Sequence, residues 1–335
     1  MPWVDFALKP FGYHARQIFK KGYKAIEGPE GVALLSPKQR RFVERISRTV
    51  NLPSYLRRKA IGSYIVAKYP APAQIQDGFA RFEAPAARDA VVAACERQIA
   101  LYRSWLKYGD EALTAAGVDP AAYFKETVKT DDDPLKHIPY KYNAAAAAEI
   151  ARFCMRPEFL APVARYLGVL PILTNARILY SPNAPGDLSN AQLFHLDPEG
   201  ARQVKLFMAL REVTPDSGPF TFVPAAATMG MLESGDQTFQ KRRVKDKHIL
   251  KHAPRKSWVS LIGASGSTLL VDTSNCFHFG SRPGSQPRLL LYAQYLDPFC
   301  SYLPASNARA VLAGNWANLP PMPGRWSPYL LGRRI

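Results

Sequence analysis

The chain has 335 residues, 47% of them hydrophobic, and carries 44 Lys and Arg against 27 Asp and Glu, a formal charge of +17. That length can bury a sizeable core and that composition excludes a disordered chain. No apolar run approaches the roughly 18 to 20 residues that a membrane-spanning helix needs.

The positive charge implies an anionic partner: a charged substrate, a lipid surface or nucleic acid. It is concentrated at the start, where residues 1–70 hold 14 bases and 4 acids, 14 − 4 = +10. No basic stripe interleaved with aromatics marks a nucleic-acid module, so nucleic acid is disfavoured. The N-terminus lacks an apolar core leading to a small-residue cleavage site, so no secretory signal is read. Cys95, Cys154, Cys276 and Cys300 show no C-x-x-C spacing, which fits free thiols in a reducing cytosol.

In chain order, residues 11–26 have a helical period. Phe11, Ala15, Ile18, Phe19, Tyr23 and Ile26 fall on one face, and Arg16, Lys20, Lys21 and Lys24 on the other. Such a helix either lies on an anionic membrane, on its cytoplasmic face, or docks on the protein itself. Ser36-Pro37 with Gln39 caps a second helix to about residue 50, with Phe42, Val43, Ile46 and Val50 inward. Residues 54–69 form a basic helix, and Pro70-Ala71-Pro72 reads as a hinge. A long helix is read over 86–113, then short helices to residue 128, over 143–153 and over 158–167. Asp131, Asp132 and Asp133 make an acidic loop read as solvated. Strands are expected at 173–180, 192–197, 203–213, 219–223, 267–271, 276–279 and 288–296. Between 228 and 254 the strand pattern lapses into a basic insert, the kind of segment that serves as a lid or substrate contact. His248 and His252 within it have metal-ligand spacing but no third ligand, and read as solvated.

The chemistry lies at His195-Leu196-Asp197 and His278. A His and a carboxylate at i and i+2 on a strand point to one side. A second His from another strand completes a 2-His-1-carboxylate set, which holds non-haem Fe(II) on one face and leaves open positions opposite. A zinc hydrolase could use the same three residues. Arg288 discriminates, because a guanidinium buried beside them needs a carboxylate partner, such as a dicarboxylate cosubstrate. An internal salt bridge from Arg288 to Asp272 or Glu212 would remove that argument. Cys276 shares strand parity with His278 and reads as a small buried hydrophobe.

The run of His195 and Asp197, then Asp216-Ser217-Gly218-Pro219-Phe220, then His278 and Arg288, resembles the phytanoyl-CoA dioxygenase family over about residues 76–296. The resemblance implies a mainly β fold with helical additions: a double-stranded β-helix (jelly-roll, cupin-like) core flanked by helices. Residues 71–300 would form that oxygenase domain, residues 1–70 a basic helical extension and 301–335 a tail packed on the surface. By the same resemblance, His195, Asp197 and His278 are the iron ligands and Arg288 pairs with the distal carboxylate of 2-oxoglutarate. The cofactors implied are Fe(II), 2-oxoglutarate and O2, with ascorbate as an optional reductant. Where some members carry a hydroxyl two residues past the distal His, this chain has Gly280, with Ser281 adjacent. Ser281, Gln192 and Arg177 are therefore further candidate contacts to cosubstrate or substrate. The expected activity is hydroxylation of an anionic or lipid-linked small molecule, with succinate and CO2 as co-products. The competing reading is a non-catalytic membrane- or polyanion-binding protein on a decayed barrel.

Overall fold

The computed structural model describes residues 37–70, 73–83, 87–126, 135–182, 186–241, 243–300, 316, 319, 322 and 325–333. The helix read over 11–26, the Ser36 cap, the acidic loop at 131–133 and residues 301–315 lie outside them.

Two helices come first, α1 (Pro37–Val50) and α2 (Leu52–Lys68), with Asn51 between them. Pro53 sits in the first turn of α2, where its missing N–H costs no hydrogen bond. Strand β1 (Phe79–Phe82) follows, then α3 (Arg88–Tyr108), α4 (Asp110–Ala115) and α5 (Pro120–Glu126). The single helix expected over 86–113 is two, because Gly109 adopts φ +67 and turns the chain between α3 and α4. Next come β2 (Lys136–Ile138), α6 (Ala144–Cys154), α7 (Pro157–Leu167) and β3 (Ile172–Ser181). Asn143 caps α6 by accepting from the Ala146 N–H at 3.0 Å. The remainder is β4 (Gln203–Ala209), β5 (Thr221–Phe222), α8 (Ala225–Glu233), α9 (Asp246–Ile249), β6 (Val259–Ser260), β7 (Thr268–Val271), β8 (His278–Phe279), β9 (Arg288–Leu296) and α10 (Ser327–Leu330).

The strands form two antiparallel sheets, one of six in the order β1-β7-β4-β9-β3-β2 and one of three in the order β6-β5-β8. The fold is thus the expected mixture of antiparallel sheets and helices, although among the described residues the two sheets do not close into a barrel. Strand alternation divides the large sheet's side chains. Its outer face, with Val204, Leu206, Met208, Ile178, Leu291 and Ala293, joins α2, α3, α6 and α7 in the main core. Its inner face carries Phe207, Leu269, Val271 and Leu290, which meet Phe220, Phe222, Leu261 and Cys276 from the small-sheet side. The site sits between these inner faces.

Two expectations are corrected, and one segment left open by the sequence gains its structure. Residues 192–197 are not a sheet strand: Asn190–Gln192 is a 3-10 turn, and only Phe194 and His195 make isolated bridges, to Val244 and His278. The 228–254 insert, where the strand pattern was read to lapse, has no strand among the described residues. It contains α8 and α9 and packs Met231, Phe239, Val244 and Ile249 with Phe194, Phe277 and Phe279 in a third apolar cluster. Finally, Phe42 is 61% exposed, and the side of α1 that faces the molecule is largely polar, with Arg40, Glu44 and Ser47 buried beside Val43.

Candidate metal centre

His195 and His278 meet as an antiparallel pair, each backbone N–H donating to the other's carbonyl at 3.0 Å. β5 holds the far side of β8, with Phe222 opposite His278, so His278 lies in the middle of a three-segment ladder. The imidazole centroids are 4.1 Å apart. Asp197 follows as the chain leaves the ladder, its N–H fixed on the Thr273 carbonyl at 2.9 Å. His195, Asp197 and His278 are all buried, and one ligand-type atom from each lies within 4.8 Å of the others.

The protonation pattern suits a metal. His195 Nδ1 is 2.9 Å from the Leu193 carbonyl and His278 Nδ1 is 3.0 Å from the Cys276 carbonyl. A carbonyl only accepts, so each Nδ1 carries the hydrogen and each Nε2 lone pair is left for a cation. Those Nε2 atoms stand at 4.0 Å and 3.4 Å from the two Asp197 oxygens. Burial, reinforced by His278, pushes His195 down to about 3, and burial also lowers His278. Both imidazoles are therefore neutral at neutral pH, as ligands must be. Burial opposes ionisation of Asp197, but the Lys205 ammonium overrides it and holds the carboxyl well below its ordinary range. Lys205 Nζ donates to Asp197 Oδ2 at 2.6 Å.

Arg288 begins β9 on the inner face of the large sheet, opposite Ser181. It is 3% exposed, and its guanidinium donates to the Gly218 carbonyl at 2.6 Å and to Ser281 Oγ at 2.8 Å. No ion pair joins it to a carboxylate among the described residues. The suggested internal partners are elsewhere: Asp272 accepts from Tyr166 and Asn275, and Glu212 is exposed. Burial alone pulls the Arg288 pKa down to about 9. A Cβ at Gly280 would lie 3.3 Å from Arg288 Nη2, so glycine there lets the guanidinium approach while the hydroxyl comes from Ser281. Ser281 adopts φ +57, a conformation that side chains resist, and its carbonyl accepts from Gln192 Nε2 at 2.6 Å. Gln192 also accepts from the Ser189 N–H. Its amide therefore braces the Ser281 loop and is already engaged.

Arg177 shares the inner sheet face with Tyr292, its cross-strand neighbour. It is exposed, with Nη1 3.1 Å from His137 Nδ1. Cys276 packs on Gly78 in the inter-sheet cluster, and the candidate ligand group does not include it. His252 sets its ring against Phe239, 5.2 Å between centroids, and neither it nor His248 joins a ligand cluster among the described residues.

Several residues at the site escape a motif reading. Phe220 stands 5.6 Å from the His278 ring and stacks on Phe207 at 3.9 Å, and Phe207 touches Tyr292 at 5.6 Å, which makes an aromatic wall beside the ligands. Lys205 and Phe207 alternate on β4 with Val204 and Leu206, and that period-2 pattern is the signal that could have found them. Arg40 had no such signal. Its Nη1 donates to the Asp197 carbonyl at 3.0 Å and the Gly200 carbonyl at 2.8 Å, reaching across from α1.

No family model matches the sequence. No curated protein matches it either. Solved structures of similar outline include AviO1 from Streptomyces viridochromogenes Tue57, 14% identical, covering 71% of this chain and 96% of that one with a TM-score of 0.42. The non-heme alpha ketoglutarate dependent epimerase SnoN from nogalamycin biosynthesis is 18% identical over 71% of this chain and 83% of its own, at a TM-score of 0.37. EctD from S. alaskensis with bound Fe is 18% identical over 65% and 72%, at 0.41. Likenesses this faint carry no argument about what the present chain does.

Proposed function

We propose that the chain is a non-haem iron, 2-oxoglutarate-dependent oxidoreductase of the phytanoyl-CoA dioxygenase type, hydroxylating an anionic small molecule. The observation that carries the reading is Arg288: a guanidinium buried on the inner face of the large sheet whose partners among the described residues are neutral oxygens, one of them the Ser281 hydroxyl in the loop that follows His278. A zinc hydrolase needs no such cation, whereas a dicarboxylate cosubstrate does.

His195 Nε2, His278 Nε2 and the Asp197 carboxylate would hold Fe(II), and Arg288 with Ser281 would take the distal carboxylate of 2-oxoglutarate. When bound, iron, 2-oxoglutarate and O2 supply oxidative decarboxylation coupled to oxidation of a substrate carbon. The chain's own share is positional. The two backbone carbonyls orient the imidazoles, Arg288 orients the cosubstrate, and Phe207, Phe220 and Tyr292 exclude water beside the ligands. Lys205, Arg177 and Arg243 add positive charge around this space, which favours an anionic substrate. The test is direct. Purified protein should bind one Fe(II) per chain and form succinate from 2-oxoglutarate, and His195→Ala or Asp197→Ala should lose both. Equal iron binding by those variants would remove the assignment, and iron-independent behaviour would favour a non-catalytic binding protein.

A second reading, of an additional contact, concerns α1 and α2. Phe42, Leu52 and Leu56 are 61%, 48% and 53% exposed there, among exposed Lys38, Arg41, Arg45, Arg57 and Lys59. Apolar tips within basic helices suit the surface of an anionic bilayer, at about 1 kcal/mol per base close to the surface. Sedimentation with anionic vesicles should fall as salt rises and again in a Leu52→Ser, Leu56→Ser variant. Protein that stays in the supernatant at low salt argues for a soluble anionic partner instead.

A further inference from the structure

Lys205 stands at the centre of a strand whose seven residues are all buried, itself 9% exposed. Its ammonium donates to Asp197 Oδ2 at 2.6 Å and lies 5.4 Å from the centre of the Tyr292 ring. The His278 Nε2 is 3.4 Å from that same oxygen, while His195 Nε2 is 4.0 Å from Oδ1. The carboxylate is pinned from the backbone as well, since Arg40 and Ser274 Oγ both donate to the Asp197 carbonyl. A buried ammonium cannot leave its partner without a large desolvation cost. It therefore claims one carboxylate oxygen and leaves the other for a cation. A carboxylate free on both oxygens can instead chelate, and doing so takes up one of the positions that a facial triad leaves open.

We propose that Lys205 is a positioning residue: by holding Oδ2 it makes Asp197 a one-oxygen ligand and keeps a position open for the bidentate cosubstrate. The proposal rests on the reading of His195, Asp197 and His278 as metal ligands. It has two consequences for the metal. The neighbouring positive charge weakens the site's hold on a divalent ion, and the fixed carboxylate keeps the coordination number low.

Both consequences are measurable without turnover, using Co(II) as a coloured substitute in the full-length protein. Lys205→Met should bind Co(II) about tenfold more tightly or better, because a positive charge beside the ion has gone. Its visible bands should weaken and move as the freed carboxylate chelates, and its Co(II)-loaded form should bind 2-oxoglutarate about tenfold less tightly, because one open position is taken up. Lys205→Arg keeps the charge and should stay near the parent in all three measurements. A residue with a merely structural role would lower the Co(II) affinity of Lys205→Met along with its thermal stability. Parent-like bands and affinity in Lys205→Met, weaker Co(II) binding, or an arginine variant that behaves like methionine would each overturn the proposal. Should Lys205→Met fail to fold by circular dichroism, Lys205→Gln carries the same expectation of tighter Co(II) and the same reversal. If the parent binds no Co(II), or His195→Ala binds it equally well, the ligand reading itself is at fault.

Discussion

At the scale of single residues, Arg288 shows how a cost can mark a function. Its guanidinium is buried, its pKa is pulled down to about 9 by that burial, and its hydrogen bonds go to a backbone carbonyl and a hydroxyl. Neutral oxygens accept from its N–H groups without neutralising its charge, which is why the proposed function gives it a carboxylate partner. Arg288→Ala is expected to leave Fe(II) bound while weakening 2-oxoglutarate by an amount on the order of 2 to 5 kcal/mol, the usual loss for truncating a buried charged pair. Anaerobic titration of the Fe(II)-loaded protein with 2-oxoglutarate measures this, and an unchanged affinity would give Arg288 a structural role. Ser281 and Gln192 belong to the same argument at one remove. Gln192 holds the Ser281 carbonyl, Ser281 keeps a left-handed backbone, and its hydroxyl meets Arg288.

At the scale of elements, α1 has an inner face of charges. Arg40 donates to two carbonyls of the loop after His195, Glu44 accepts the Ala201 N–H at 2.7 Å, and Arg48 pairs with Asp297. Burial, reinforced by Asp297, pushes Glu44 up to about 7. The helix thus acts as a brace on the Asp197–Gly200 loop rather than as an amphipathic cover over apolar surface. Arg40→Met preserves much of the volume but removes both bonds, which frees the backbone of a proposed ligand. Groups just behind metal ligands typically cost 10- to 100-fold in affinity when removed, and a fall of about tenfold in Fe(II) affinity is expected here. Isothermal titration would read it. Arg40→Lys should not restore the parent value, since one ammonium on a flexible stem does not reproduce the fixed guanidinium fork.

At the scale of the whole molecule, the core extends beyond the sheets to the C-terminal residues. Trp316, Leu319, Tyr329, Leu330 and Leu331 are buried in the same cluster as the outer face of the large sheet, and Arg58 of α2 donates to the Tyr329 carbonyl at 3.0 Å. These residues, read from the sequence as packing over the domain, are buried. Removing residues 316–335 exposes the surface they cover, at roughly 1.5 to 3 kcal/mol for each large side chain. Five such losses are comparable with the whole stability of a typical domain, about 5 to 15 kcal/mol. The truncated chain is therefore expected to show no cooperative thermal transition by circular dichroism, and a transition like the parent's would mean that the cluster holds without these residues.

The sequence by itself determined the local facts. Strand β9 is legible to the residue, because Leu289-Leu290-Leu291-Tyr292 opens a short apolar run of strand length, and all of its residues except Tyr292 are buried. The short spacing of His195 and Asp197 and the distant His278 were enough to nominate three ligands through residue chemistry, although the strand alternation expected to align the first two does not extend to Asp197. What the chain could not disclose was which distant groups meet. The buried ammonium on Asp197 Oδ2 comes from β4, the guanidinium on its carbonyl from α1, and the aromatic wall from β4, β9 and the segment before β5. Nothing in the residues around Arg40 distinguishes it from a solvated base, and the alternation along β4 could place Lys205 on the inner face but could not name its partner. Their roles follow from burial, which removes water as a partner and obliges each charge to find another, and burial is a property of the folded sheets and helices together.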